Sequence, residues 1–234
     1  ILASAIGMDK DIQQKILRAE GLGVPRSTVV EQRHWQQDPD AVRQRLVGEF
    51  GLPLVTKPVR EGSSIGVTVV RAPGDLDAAM AAALQWDRTV LVEEFLEGTE
   101  FSCIVLEDEG EPRPLSLTEI HPQSEFFTYD DKYMPGRCRK FTPPKTIPKD
   151  VAETIKVDVV RAYKALGFRC YGRIDGFVLK DGRVLITDPN SSSGMAPSSF
   201  FFEQAAEQGM LPGMIVSTLI EIGMRIHGEK KGPL

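Results

Sequence analysis

Ile12, Ile16 and Leu17 recur at helical spacing between residues 8 and 20, and the pattern stops at Gly21 and Gly23. A short amphipathic helix with Lys10 in its first turn is therefore predicted to open the chain. The period then changes repeatedly. Apolar and β-branched runs at 28–31, 52–57, 67–70 and 90–95 read as strands, while 41–50 and 76–86 read as helices. Such alternation argues against a helical bundle and for a mixed α/β or α+β lobe. Residues 100–120 are β-rich. The stretch 128–149 is polar, basic and proline-containing with little periodicity, which is the pattern of a long functional loop. A helix resumes at 151–166, two strands follow at 171–179 and 184–188, and the tail from Phe200 is mostly helical. There is no internal repeat, and no linker is distinct enough to mark a domain boundary.

The run from Arg173 to Asn190 is the most informative. Asp181-Gly182 between two apolar segments is a strong hairpin-turn signal. With those residues at the tip, Lys180 pairs with Arg183, and counting back sets Asp175 opposite Asp188 and Arg173 opposite Asn190. Opposed side chains share a face, and alternation puts all four on the same one. Two carboxylates opposed at roughly 5 Å repel unless a cation or a shared proton offsets them. An Asp/Asp/Asn set is all oxygen and suits a hard divalent ion. Mg²⁺ typically takes one or two carboxylates and completes its shell with substrate phosphates and water, so a nucleotide phosphate is the expected partner. The plain alternative is that Asp188 merely ends its strand and Asp175 pairs with a nearby base. A slip of one residue would send the two acids to opposite faces.

Gly62-Ser63-Ser64-Ile65-Gly66 matches the G-x-S-x-G pattern of a serine-hydrolase elbow. An elbow runs from strand to helix, whereas the β-branched residues after this loop read as a second strand. A Gly/Ser loop between two strands is better suited to laying backbone N–H groups and hydroxyls over an anion, with Lys57 as a point charge. A Ser/His/Asp hydrolase using His34, His121 or His227, or a flexible surface hairpin, stays open on the residues alone. No GxxxxGK[ST], GxGxxG or HExxH pattern occurs. Lys10, Lys57 and Lys132 are scattered lysines that acquire meaning only if one phosphate chain collects them.

Composition narrows the classes. With 41% hydrophobic residues, 26% charged and a net charge of −5, the 234-residue chain is neither low-complexity nor a generic polyanion binder, and no apolar run suits a membrane span. No nucleic-acid or membrane partner is expected. Cys103, Cys138 and Cys170 are odd in number and far apart, which fits a reducing, cytoplasmic setting. The chain begins at Ile1 without signal-peptide character, so it is expected to start inside a longer protein.

Together these motifs resemble the D-alanine–D-alanine ligases of the ATP-grasp superfamily. The likeness runs in order from Met8-Asp9-Lys10 through Lys57-Pro-Val-Arg-Glu-Gly-Ser-Ser-Ile-Gly66, Val92-Glu-Glu-Phe-Leu96, Gly98-Thr-Glu-Phe101, Tyr129-Asp-Asp-Lys-Tyr133 and Gly172-Arg-Ile-Asp175 to Asp188-Pro-Asn-Ser-Ser-Ser-Gly-Met195. The resemblance implies an α+β, ATP-grasp fold in which two α/β lobes clasp a nucleotide between antiparallel sheets. Residues 1–97 would form the small central lobe and 98–234 the large C-terminal lobe, and the family's N-terminal domain would precede them. It further implies that Lys10 and Lys57 hold the α and β phosphates, Ser64 lies in the phosphate loop, and Glu93, Glu94 and Leu96 line the adenine pocket. Glu100 would bind the ribose and Lys132 the γ-phosphate. Tyr133 and Ser63 would close the site together. Asp175, Asp188 and Asn190 would be the Mg²⁺ ligands, for one ion or two, with Mn²⁺ an acceptable substitute. Arg173 and the backbone at Gly194 would stabilise the oxyanion, and Ser199 and Phe200 would bind the carboxylate of the second D-alanine.

The activity implied is ATP-dependent joining of two D-alanines through an acyl phosphate, for peptidoglycan precursor synthesis. The alternatives are another ATP-grasp carboxylate–amine ligase or a non-catalytic nucleotide-binding homologue. ATP and D-alanine are the expected partners, and a homodimer is compatible with the family. Three departures bear on this. Asp188 stands where the family usually has Glu, Asn190-Ser-Ser-Ser-Gly-Met195 replaces Asn-x-Ser-Pro-Gly-Met, and the downstream 198–202 is unusually aromatic. The first shortens a metal ligand, and the other two put the acceptor preference in question.

Overall fold

A computed structural model describes residues 1–122 and 138–229. Two helices, rather than the one expected, open the chain: α1 (Leu2–Met8) and α2 (Lys10–Ala19). The break is at Asp9, whose backbone is extended and whose carboxylate accepts the Ile12 N–H at 3.1 Å. An Asp that can cap competes with helix continuation, and it starts a new helix at Lys10.

Next come β1 (Ser27–Glu31), α3 (Gln32–Gln37), α4 (Pro39–Phe50), β2 (Leu54–Pro58), β3 (Thr68–Val70), α5 (Leu76–Leu84) and β4 (Thr89–Glu94). The four strands make an antiparallel sheet in the order β1-β4-β2-β3. Alternation divides its residues. Val30, Leu54, Val70, Val90 and Val92 pack under Leu46 of α4 and Leu76, Met80 and Ala83 of α5. The opposite face carries Val55 across from Glu93 and Lys57 across from Leu91. The polar helix α3 has no apolar period to announce it and was not expected.

The second sheet contains β5 (Gly98–Asp108), β6 (Glu111–Pro122), β7 (Cys138–Phe141), β8 (Tyr171–Leu179) and β9 (Val184–Asn190), antiparallel in the order β7-β6-β5-β8-β9. Strand β7 falls within the stretch expected to be loop. Its four residues are too few to register a period, and pairing with β6 defines it. On one face, α2 and α6 (Lys149–Ala165) pack Leu17, Ile155 and Val159 against Phe101, Ile174 and Ile186. On the other, α7 (Phe200–Ala206) and α8 (Pro212–Glu229) cover Ile104, Leu106 and Leu115. Gln204 of α7 is fully buried and fills the irregularity in β5, donating to Ser102 O and accepting from Ile104 N. Beyond α7, β8 buries its even-numbered residues and leaves Arg173, Asp175 and Phe177 half-buried on this second face.

The β8–β9 hairpin reaches the expected pairing by an unexpected route. Lys180 does not pair with Arg183. Instead Leu179 N–H donates to Arg183 O at 2.8 Å, and a three-residue tip ends at Gly182 with φ 86°. That offset continues through Val178–Val184 and Gly176–Ile186, and extended further it would turn Asp188 toward the core. A bulge at Thr187 adds one residue to β9 and restores Asp175 opposite Asp188 and Arg173 opposite Asn190. Two one-residue departures cancel.

Candidate active site

A cavity of about 660 Å³ opens between the polar faces of the two sheets. Lys57, on the free face of β2, points into it and forms a 2.5 Å ion pair with Glu93 of β4, both side chains being largely buried. Gln14 of α2 donates to the same carboxylate and accepts from Ser27 Oγ, so Glu93 is held from two directions. Lys10 enters from the start of α2. Its backbone N–H donates to Val59 O at 3.2 Å and its ammonium to Glu61 O, which docks it against the loop between β2 and β3.

That loop is a strand-to-strand connection, which rules out the hydrolase elbow geometry. Ser63 and Ser64 both adopt left-handed backbone, φ 52° and 61°, and both line the cavity. Such a conformation costs a non-glycine residue roughly 1–2 kcal/mol and persists where the surroundings impose it. The turn is closed by Ile65 N–H to Gly62 O at 3.0 Å and Val67 N–H to Ser64 O at 3.3 Å. Glu94 at the end of β4 and Leu96 in the connection to β5 line the same cavity, as does Glu100 of β5. Sequence reasoning missed three neighbours. Arg71 stacks over Phe95 at 5.7 Å, and His121 also lines the cavity. The position of Phe95 inside the Val92–Leu96 motif was a usable signal; Arg71 carried none, and His121 stood out only as one of three histidines open to a hydrolase role.

Asp188 also lines the cavity, and through the bulged hairpin it leads to a second polar row. Asp175 accepts from Ser102 Oγ at 2.7 Å, from Arg173 Nε at 3.0 and 3.1 Å, and from Asn190 Nδ2 at 3.4 Å. Burial pushes the Asp175 carboxyl up; Arg173 opposes this, and the neighbouring Asp188 charge adds to it. Asp188 and Asp175 thus feel each other, as the hairpin argument requires. Two carboxylates and one amide are a donor set for a hard cation that keeps other ligands from a substrate. Among the described residues no three His, Cys, Asp or Glu side chains converge, and the Asp175 row offers two carboxylates and one amide.

The remaining candidates divide. Ser199 precedes α7 with its Oγ buried, and Phe200 lies beside Arg173 at 6.0 Å; neither lines the cavity. Gly194 is exposed and outside the lining. Lys132 and Tyr133 lie outside the described residues, as does the pairing of Tyr133 with Ser63. The connection that follows β7 is anchored by Glu119, which is fully buried. It accepts the N–H groups of Lys145, Thr146 and Ile147 at 2.7–3.1 Å, Thr146 Oγ1 at 2.6 Å, and a hydrogen bond from His121. Burial would raise this carboxyl, but the hydrogen bonds outweigh it and bring its pKa down to about 2.

No helix among the described residues is long and apolar enough to cross a membrane. The model of the D-ala D-ala ligase C-terminus family matches residues 16–221. The chain is 36% identical over 228 residues to the D-alanine–D-alanine ligase of Kocuria rhizophila, covering 96% of this chain and 59% of that protein. Two Geobacillus ligases are matched over 62% and 63% of their length, so the chain spans about three fifths of such curated relatives. Among solved structures, the VanG D-Ala:D-Ser ligase from Enterococcus faecalis superposes with a TM-score of 0.81 at 31% identity, over 94% of this chain and 63% of that one. The D-alanine–D-alanine ligase from Bacillus anthracis complexed with ATP gives 0.76 at 25% identity, over 97% and 68%. With the motifs in order, the two-sheet cavity and these matches in agreement, the chain belongs to the D-alanine–D-alanine ligase family, in the part that the family model describes as its C-terminus.

Proposed function

We propose that this chain is the nucleotide- and acceptor-binding part of an ATP-dependent ligase that joins two D-alanines for cell-wall precursor synthesis in the cytoplasm. The observation that carries the reading is the cavity between the two sheets. It collects Lys10, Lys57, Ser63, Ser64, Glu93, Glu94, Leu96, Glu100 and Asp188 from segments far apart in sequence. The division into a small lobe, 1–97, and a large lobe, 98–234, follows the passage from β4 to β5 beside that cavity. Residues of α2 nevertheless pack in the core of the second sheet.

In this reading Lys10, Lys57 and the 62–66 loop bind the phosphates, while Glu93, Glu94 and Leu96 surround the base and Glu100 meets the ribose. The carboxylate of the first D-alanine attacks the γ-phosphate, giving an acyl phosphate and ADP. The amine of the second D-alanine then displaces phosphate and loses a proton as the peptide bond forms. Bound at Asp175, Asp188 and Asn190, Mg²⁺ would offset charge on the phosphates; the ion count follows from how far the shorter Asp188 reaches. Arg173, with the backbone at Gly194, steadies the oxyanion that develops at the acyl carbon. Lys132 and Tyr133 are assigned to the γ-phosphate and to closure on Ser63, by motif alone. Ser199 and Phe200 receive the second D-alanine. Positioning and electrostatics supply most of the catalysis.

The test is phosphate release by the full-length protein with ATP and a panel of D- and L-amino acids. Stimulation by D-alanine supports the reading. A second acceptor is favoured by Asn190-Ser-Ser-Ser-Gly-Met195 and by the likeness to a D-Ala:D-Ser ligase, and preference for D-serine with D-alanine would select it. ATP binding without amino-acid-stimulated turnover would mean a non-catalytic homologue.

A further inference from the structure

Lys140 has no place in the motifs that identify the family, yet the sheet register puts it on the working face. It pairs with Ile120 of β6, which pairs with Glu100 of β5, which pairs with Phe177 of β8. Directly opposed residues share a face. Glu100, Ile120 and Phe177 all line the cavity, so this row runs from the cavity outward to Lys140 at the edge strand. The ammonium group confirms the direction, lying 4.5 Å from the centre of the Phe200 ring. Arg173 approaches the same ring at 6.0 Å.

The two cations around Phe200 are not equivalent. Arg173 is committed to Asp175, at 2.9 Å between Nη2 and Oδ2. Lys140 is half-buried and, among the described residues, meets an aromatic face and no carboxylate. A lysine held on a ring keeps its charge available, since the ring supplies only part of what an anion would. Immediately before Phe200, Ser199 Oγ is buried and has no hydrogen-bond partner among the described residues. Among the described residues, a buried hydroxyl without a partner and a cation without a counter-ion flank one ring, and together they suit a small anion with two oxygens. Phosphates are served elsewhere, by Lys10, Lys57 and the 62–66 loop beside the first sheet.

We propose that Lys140, together with Ser199, binds the carboxylate of the amine-donating substrate, with Phe200 as the floor that holds the lysine in place. The assignment rests on the ligase reading above and adds a residue to it: the acceptor's charge is recognised from β7. Its amine is then left facing Arg173 and Asp175, where the acyl carbon is attacked. An acceptor lacking an α-carboxylate loses the contact altogether.

The experiment uses the full-length protein and compares wild type, Lys140→Met and Lys140→Arg, measuring KM for ATP and for the second D-alanine, with D-alaninamide as the uncharged acceptor. Losing a hydrogen bond to a charged group corresponds to about a tenfold to hundredfold loss. Lys140→Met should therefore raise the KM of the second D-alanine about tenfold or more, leave the KM for ATP within about twofold, and erase the preference for D-alanine over D-alaninamide. Lys140→Arg should restore most of the affinity because it keeps the charge. An unchanged acceptor KM in Lys140→Met, or a rise confined to ATP, overturns the proposal while leaving the ligase reading intact. A wild-type protein whose turnover no amino acid stimulates overturns the ligase reading, and this proposal with it.

Discussion

Asp175 sits in a place that resists its charge. Its carboxyl is raised by burial and by Asp188, so the stability it contributes is present below the unfolded value of about 3.9 and is lost as pH rises through the folded one. Above the unfolded value the carboxyl is therefore a net cost to the fold, and Asp175→Asn should leave the melting temperature at neutral pH within a few degrees of wild type. The same change should cut Mg²⁺-dependent turnover by about a hundredfold or more, and unaltered turnover would remove the metal role. Glu119 has the opposite sign. Its pKa falls to about 2 in the fold, so its contribution is present above about 4.5 and disappears as pH drops from there toward 2. Denaturant midpoints measured from pH 7 to pH 2 should show wild type losing on the order of 3 kcal/mol more than Glu119→Gln across that window. Parallel curves would mean the hydrogen bonds to Glu119 form equally in the unfolded chain. Asp175 was legible in the sequence because the hairpin signal and an acid pair flagged it. Glu119 was not, since its partners at 145–147 become neighbours only by chain return.

The β8–β9 hairpin shows how an element can be read correctly through two compensating errors. The Asp181-Gly182 signal marked the tip, but tip length and the Thr187 bulge are settled by twist and packing, to which a two-letter turn motif is blind. Gly176 sits at the register change. A Cβ there would fall 2.3 Å from Leu185 O and 2.6 Å from the Phe101 ring, so only glycine lets β8 and β9 approach while Phe101 fills the core. Gly176→Ala should destabilise by about 2–3 kcal/mol, seen as a fall of roughly 5–10 °C in Tm. It should also weaken Mg²⁺ dependence, because Asp175 and Asp188 are displaced together. Wild-type values of both would show that the bulge region yields without cost.

At the scale of the whole molecule, α2 ties the two sheets. Gln14 reaches Glu93 in the first, Gln13 donates to Pro189 O of β9 at 3.0 Å in the second, and Leu17 is buried in the second core. A nucleotide bound as proposed, by groups from both sheets, would add another tie. At ATP about 100 times its Kd, stabilisation of about 2.7 kcal/mol is expected, a rise of roughly 5–10 °C in Tm. Lys57→Met should abolish that rise, and a shift that survives the substitution would place the nucleotide elsewhere. The linear sequence by itself determined the alternation of elements, the strand-to-strand nature of the Gly62–Gly66 loop and the acid pair, because these depend on local periodicity and turn chemistry. Tertiary structure alone decided the bulge at Thr187, the Gln14–Glu93–Lys57 network and the place of Lys140 on the working face. Each of these rests on contacts between segments distant in the chain, and a side chain's face and charge environment are fixed only when those segments meet.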